Sequence, residues 1–196
     1  VKAGRFAVHC SPGRVEAIIL SDVLGDPVDM IASGPSAPDP TTSESAKAIA
    51  VKYGLDHMDS VRTCLEKETP KKLSNVHNQI IGSVRELCKA AEKAALDLGY
   101  ECIFLSDCLD GEAADTGRLL ANELGKYAVK GRKIALLAGG ETVVHLKGTG
   151  LGGRNQELVL SAAESLAQIP DSCIISVGSD GTDGPTDAAG GYVDSD

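Results

Sequence analysis

The chain has no tryptophan, and aromatic residues make up only 3% of its 196 positions. A core without large rings must be filled by Ala, Val, Ile and Leu, which suits helices packed on a parallel sheet. Hydrophobic residues, at 42%, are enough to build one. Basic runs are also missing. With a net charge of −9, this argues against nucleic acid or an anionic membrane as a partner. No apolar stretch approaches the about 20 residues that a bilayer-spanning helix needs, and no signal or transit segment is visible at the start. The six cysteines (Cys10, Cys64, Cys88, Cys102, Cys108, Cys173) include no C-x-x-C pair and no histidine at zinc-like spacing. They read as free thiols in a reducing compartment. The expectation is a cytoplasmic protein, with a mitochondrial location as the alternative because the N-terminus reads as missing. Val1 is not Met, and both ends of the chain look cut, so a piece of a longer protein is expected.

Glycine, in contrast, is concentrated. Gly139-Gly140-Glu141-Thr142 is followed by Gly148-Thr149-Gly150-Leu151-Gly152-Gly153-Arg154-Asn155-Gln156-Glu157. Glycines let a backbone come close to a ligand, and the first turn of a helix offers unpaired N–H groups that suit anions. Arg154 adds a charged fork able to grip a phosphate or carboxylate at two points. Gly148, Gly150 and Gly153 also match the dinucleotide pattern G-x-G-x-x-G. That pattern should follow a buried parallel strand, whereas Thr142 to Lys147 contains polar residues suited to a partly exposed one. An acidic residue is expected about 20 positions on, and Asp180 comes later. A nicotinamide site is therefore the runner-up reading.

Strand-like segments are expected at 5–10, 14–21, 101–106, 134–138, 141–147 and 173–177, with a short apolar piece at 76–82. Helices are expected at 42–53, opened by a Thr41/Glu44 capping box; from a cap at Asp59 to about 67; from a Ser83/Glu86 box to Gly99; at 112–129, burying Leu119, Leu120, Leu124 and Tyr127; and at 156–167, with Asn155 as its cap. Residues 25–40, with four prolines, form a long loop of the kind that is usually functional. Strands alternating with helices predict an α/β fold, a mainly parallel, Rossmann-like sheet with flanking helices. The boundary signal is strongest near Lys130-Gly131. Ligands of open α/β sheets bind beyond the carboxyl ends of strands, and Asp22, Asp107, Glu141 and Asp180 fall at such ends.

Several long motifs resemble the glycerate kinases of the MOFRL type. They are Ile19-Leu20-Ser21-Asp22-Val23-Leu24-Gly25-Asp26, Ile31-Ala32-Ser33-Gly34-Pro35, Gly139-Gly140-Glu141-Thr142, Gly152 to Glu157, and the run from Ser179 to Gly190. They occur in the family's order over nearly the whole chain. The resemblance implies that residues 1–130 are the later part of the family's N-terminal domain, and that residues 131–196 begin a second α/β domain, the MOFRL domain. It further implies ATP- and Mg²⁺-dependent phosphorylation of D-glycerate in a cleft. The family's N-terminal lysine segment and its C-terminal T-G-P-T-G-T-N-like motif are not in this chain, so the chain alone is expected to be inactive. Some family members carry a hydroxypyruvate reductase label. The rivals are thus an NAD(P)H-dependent hydroxypyruvate reductase and a catalytically dead module that binds an anionic metabolite.

Phosphoryl transfer needs positioning and charge neutralisation more than covalent chemistry. Asp22 is the candidate to act on the attacking hydroxyl, against a role as a loop cap. Arg154 is the candidate to hold the substrate carboxylate or the developing phosphoryl charge, against a plain surface arginine. Glu141, Asn155 and Glu157 are candidates for substrate or ATP contact; Glu157 is equally explained by the helix dipole. Ser33-Gly34 and Gly82-Ser83 are candidate phosphate cradles, although a capping box already explains Ser83. Asp180, Asp183 and Asp187 are candidate Mg²⁺ ligands, with at least one of them expected to be only a turn residue. The partners expected are D-glycerate and ATP, with a homo-oligomer as a further expectation.

Overall fold

The computed structural model describes residues 2–196, and the chain divides into two compact units at Ser83/Val84. The first unit contains α1 (Arg5–His9), β1 (Val15–Leu20), a 3₁₀ turn (Ile31–Ser33), α2 (Ser43–Lys52), α3 (Asp59–Leu65) and β2 (Val76–Gly82). β1 and β2 run parallel from Val15 opposite Val76 to Ile19 opposite Ile80; a register shift then places Leu20 opposite Gly82. Burial alternates along both strands, as the two-residue side-chain period requires when one face is packed. Ile18 and Leu20, on the other face of β1, are 73% and 76% exposed.

Three local expectations fail in this unit. Residues 5–9 form helix α1 rather than a strand, because Gly4 in the left-handed conformation turns the chain into a helix that buries Ala7. Six residues are too few for periodicity to separate the two states. α2 is capped by Thr42, not Thr41. The Thr42 hydroxyl accepts from the Ser45 N–H at 3.1 Å, while the Ser45 hydroxyl accepts from the Thr42 N–H at 3.1 Å. Thr41 is held instead by Asp39. In α3 the cap position is Met58, and Asp59 is the first helical residue.

The second unit contains α4 (Val84–Asp97), β3 (Glu101–Leu109), α5 (Ala113–Tyr127), β4 (Ile134–Gly140), α6 (Arg154–Leu166), β5 (Cys173–Val177) and β6 (Gly190–Asp194). β3 and β4 pair in parallel, Glu101 opposite Ile134, and β5 and β6 pair antiparallel, Cys173 opposite Asp194. The architecture is α/β, with two parallel strand pairs and flanking helices. The sequence boundary at 130/131 lies on the connection from α5 to β4, inside this unit.

Small residues let α5 and α6 pack closely. α5 buries Ala113, Thr116, Gly117 and Ala121, and α6 buries Leu158, Val159, Ala162 and Leu166. A Cβ at Gly117 would lie 2.0 Å from the Leu158 carbonyl oxygen, so only glycine permits this approach. Leu119, expected in the core, is 51% exposed, because it lies off the face carrying Ala113, Thr116, Gly117 and Ala121 that is buried. Leu120, Val144, Ile174 and Val193 complete the cluster around Ala113, Leu158 and Val159.

The strand expected at 141–147 does not form. Only Val143 makes a bridge, to Glu112, while Leu146 is 88% exposed. No neighbouring strand continues past that bridge to reward further pairing. β6, which was not anticipated, uses two glycines in five residues and follows a turn-rich loop. Its composition gives little strand signal.

Candidate active site

In the first unit Asp22 and Ser83 lie where β1 and β2 end. The Ser21 N–H donates to the Gly82 carbonyl at 2.8 Å, so Asp22 and Ser83 continue from neighbouring carboxyl ends of a parallel pair. Asp22 is exposed and its carboxylate has no hydrogen-bond or ion-pair partner among the described residues. Ser33 and Gly34 behave differently from the expected cradle. Ala32, Ser33 and Gly34 have successive positive φ values of 50°, 62° and 60°, a strained arrangement for the first two. The Ser33 N–H already donates to the Met30 carbonyl at 2.9 Å, and the Gly34 N–H to that of Ile31 at 2.9 Å. The backbone donors at this turn are spent inside the protein. What Ser33 keeps for a ligand is its hydroxyl.

In the second unit the strand end and the head of α6 meet. The Glu141 N–H donates to the Leu109 carbonyl at 2.8 Å, and that of Val143 to Gly111 at 2.8 Å, which carries β4's parallel alignment past its end. A Cβ at Gly140 would meet the Leu109 carbonyl oxygen at 2.1 Å, so glycine is what brings Glu141 here. Arg154 is the first residue of α6, and its Nη1 donates to Glu141 Oε1 at 2.7 Å. Both side chains are about half exposed. Exposed pairs contribute roughly 0–1 kcal/mol, so this contact orients the guanidinium more than it stabilises the fold. Gly148, Gly150 and Gly152 have open space where a Cβ would stand. The glycine loop that precedes α6 is thus uncrowded at these three positions.

Asn155 is not the cap of α6. Gly153 occupies the cap position and has no side chain to offer. The cap comes from a distant loop. Asp183, 1% exposed, accepts the Asn155 N–H and Asn155 Nδ2 on one oxygen, both at 3.0 Å. Its other oxygen accepts the Gln156 N–H at 2.9 Å and Gln156 Nε2 at 3.1 Å. Burial pushes the Asp183 carboxyl up, but these hydrogen bonds outweigh it and hold the group below its ordinary range. The Asn155 side-chain oxygen accepts from Ser176 at 2.6 Å, and Gln156 Nε2 also reaches the Thr186 hydroxyl at 3.0 Å. Glu157 is exposed in the first turn of α6.

The three aspartates do not gather around a cation. Asp183 has both oxygens filled by α6 donors. Asp180 is folded onto Thr182, whose N–H and hydroxyl donate to it at 3.1 and 3.0 Å. Those bonds, with a smaller share from the charge of Arg154, hold Asp180 below the ordinary carboxylate range. Asp187 is exposed. Among the described residues no three His, Cys, Asp or Glu side chains are placed to hold a metal. The donor set therefore does not fit a protein-held Mg²⁺ at these positions.

Asp107 pairs with Arg85 at 2.6 Å, which holds its carboxyl below the ordinary range. Asp107, a strand-end candidate, is thus engaged by a side chain of α4. Sequence reasoning missed Gln156, Ser176 and Thr186. A Ser-Asp-Gly-Thr-Asp-Gly run announces turns, but nothing in it says which helix those turns cap.

Comparison with known proteins follows the same residues. The MOFRL family model matches residues 134–196, and a model described as a domain of unknown function (DUF4147) matches residues 1–66. A Thermotoga maritima protein named D-glycerate 2-kinase is 50% identical over 198 residues, covering 99% of this chain and 48% of that protein. An Agrobacterium vitis protein with a provisional hydroxypyruvate reductase name is 38% identical over 207 residues, covering 98% of this chain and 46% of its own length. The crystal structure of glycerate kinase from Thermotoga maritima superposes with a TM-score of 0.93 at 49% identity, over 100% of this chain and 48% of that one. No helix among the described residues is long and apolar enough to cross a membrane. The chain spans about half the length of the curated relatives it matches; its residues 134–196 match the MOFRL family, and over nearly its whole length it is similar to proteins named glycerate kinase.

Proposed function

We propose that the chain is part of an enzyme that transfers the γ-phosphoryl group of ATP to D-glycerate, at the 2-hydroxyl. The observation that carries this reading is the Glu141–Arg154 pair at the head of α6, which follows an uncrowded glycine loop in the chain. It stands in a chain half identical to a protein named D-glycerate 2-kinase. Arg154 offers a fork of N–H donors, of which Glu141 engages only part. The remaining donors suit the glycerate carboxylate or the equatorial oxygens of the phosphoryl group in flight, where fixed charge is most effective. Asp22, exposed and unpartnered among the described residues, would take the proton of the attacking hydroxyl. Ser33, Ser83, Asn155 and Glu157 remain candidate contacts for substrate or ATP, Ser33 through its hydroxyl. Gly34 and Gly82 allow close backbone approach but offer no free cradle: a Cβ would meet Asp29 backbone at Gly34 and the Leu20 side chain at Gly82. Mg²⁺ accompanies the ATP phosphates in this reading, and no step depends on an aspartate cluster.

In the whole protein, residues 1–130 are read as the later part of the N-terminal domain and 131–196 as the start of the MOFRL domain. The family matches at 1–66 and 134–196 support the two ends of that assignment. The pairing of β3 with β4 argues for drawing residues 84–130 to the MOFRL side.

The test is Arg154→Lys in the full-length protein. A point charge cannot reproduce a two-pronged grip, and loss of one such transition-state contact costs about a hundredfold or more in turnover. With an unchanged circular dichroism spectrum, a fall of that size supports the reading. Near-normal turnover in the folded variant returns Arg154 to an ordinary surface residue.

A further inference from the structure

We infer that Asp183 is a positioning residue: its buried carboxylate fixes the first turn of α6, and so fixes where Arg154 presents its guanidinium. The inference rests on the phosphoryl-transfer reading above and assigns Asp183 a part in it other than binding metal.

The first turn of any helix has N–H groups without partners inside the helix. In α6 the residue before Arg154 is Gly153, which has no side chain to satisfy them. Asp183 supplies the acceptors across a chain separation of 28 residues. One oxygen serves Asn155 and the other Gln156, each through backbone and side chain together. Such charge-assisted bonds to a buried anion are roughly twice as strong as neutral ones. The carboxylate has no capacity left for a cation.

The fit between the two loops leaves no space for a side chain at either glycine. A Cβ at Gly153 would lie 2.3 Å from the Asp183 carboxyl carbon, and a Cβ at Gly184 would lie 2.3 Å from the Gly152 carbonyl oxygen. Backbone therefore rests against backbone immediately before Arg154. The clamp is tied down further. Thr186 accepts from Gln156 Nε2 at 3.0 Å and donates to the Asp183 carbonyl at 2.7 Å. Ser176, on β5, holds the Asn155 side chain at 2.6 Å.

Arg154 is thus fixed at two points, its guanidinium by Glu141 and its backbone by the capped turn that follows. Both carboxylate oxygens of Asp183 face donors. An amide there would turn its NH₂ group toward the N–H of Asn155 or of Gln156, a donor facing a donor. The turn would move while most of the core stayed as it is. A misplacement of about 1 Å in a group that meets the transition state can cost on the order of a hundredfold in rate.

The experiment is a double-mutant cycle in the full-length protein, with Asp183→Asn, Arg154→Lys and both together, read as kcat and KM for D-glycerate phosphorylation. Asp183→Asn is expected to lower kcat by about tenfold or more, with KM for ATP changed by less than about twofold. Added to Arg154→Lys it should cost little more, because both changes remove one interaction. Losses that multiply in the double variant, or an unchanged kcat in folded Asp183→Asn, overturn the inference. If Asp183→Asn does not fold, Gln156→Ala replaces it in the same cycle. That change removes one side-chain bond to the clamp, and the same coupling to Arg154 is expected on a loss of about two- to threefold. Amide hydrogen exchange gives a readout apart from activity. The Asn155 and Gln156 amides should be protected in the unsubstituted protein and exchange fast in the Asp183 variant. Equal exchange in the two overturns the inference. An unsubstituted protein that does not phosphorylate glycerate overturns the functional reading instead, and the exchange result then decides this one.

Discussion

Asp180, Asp183 and Asp187 share one glycine-rich loop, yet the first closes a turn on Thr182, the second caps a helix, and the third faces solvent. Their spacing was legible; their division of labour was not, because it depends on which donors the folded chain brings to each. For Asp183 the consequence is measurable. Its folded pKa is depressed, while in the unfolded chain an aspartate titrates at about 3.9. The stability it contributes is therefore complete above about pH 4 and is lost as pH falls through the lower, folded value. At neutral pH, Asp183→Asn is expected to destabilise by about 1–3 kcal/mol, the cost of leaving buried donors poorly matched. Below about pH 4 the difference should shrink. Denaturant unfolding of the two proteins across that range checks it. Glu68, also held low, at about 2, by the Ser43 backbone and Lys71, is common to both and cancels. Acid limbs that run parallel would show that Asp183 is not the titrating cap. Arg154 and Glu141 stood out in the sequence because each follows a pair of glycines, and the fold brings their side chains together.

At the scale of elements, strands expected at 14–21, 101–106, 134–138 and 173–177 form at 15–20, 101–109, 134–140 and 173–177, and with the long helices they were readable from apolar periodicity and from glycine stops. The misreadings were short or depended on tertiary contacts. α1 is five residues, β6 is five residues with two glycines, and 141–147 lacks a neighbour to pair with beyond Glu112. The two glycines inside α5 show how packing decides what propensity cannot. Replacing a helical glycine by alanine favours the helix by about 1 kcal/mol. At Gly125 a Cβ would meet only the tip of the Ile169 side chain, at 3.3 Å, which has room to shift. At Gly117 it would meet Leu158 backbone at 2.0 Å. Gly125→Ala should therefore leave the melting temperature unchanged or raise it. Gly117→Ala should lower stability by about 1–3 kcal/mol, the range for overpacking. The same order is expected whether unfolding is followed by heat or denaturant. If Gly117→Ala is the more stable of the two, α5 and α6 do not cross as closely as described.

For the whole molecule, the parallel pair of β1 and β2 is packed on one face and open on the other, while β4 is half-buried along nearly its whole length. Ile18, Leu20 and Ile81 are exposed in the first unit, and Phe104 in the second. Parallel sheets are ordinarily covered on both faces, and exposed apolar patches favour association. The resemblance to a two-domain kinase was legible from motif order, whereas the phosphorylated position was not, since no residue pattern in this chain distinguishes one glycerate hydroxyl from the other. The central claim, transfer of a phosphoryl group from ATP to D-glycerate, is tested most directly by one assay on the full-length protein with D-glycerate, ATP and Mg²⁺, following ADP and phosphoglycerate together. One ADP should form per D-glycerate consumed, with the phosphate on the 2-position by ³¹P NMR. Residues 1–196 alone, in the same assay, should give no turnover. Oxidation of NADH or NADPH by hydroxypyruvate, without glycerate-dependent ADP, would contradict the account and return the glycine loop to a dinucleotide.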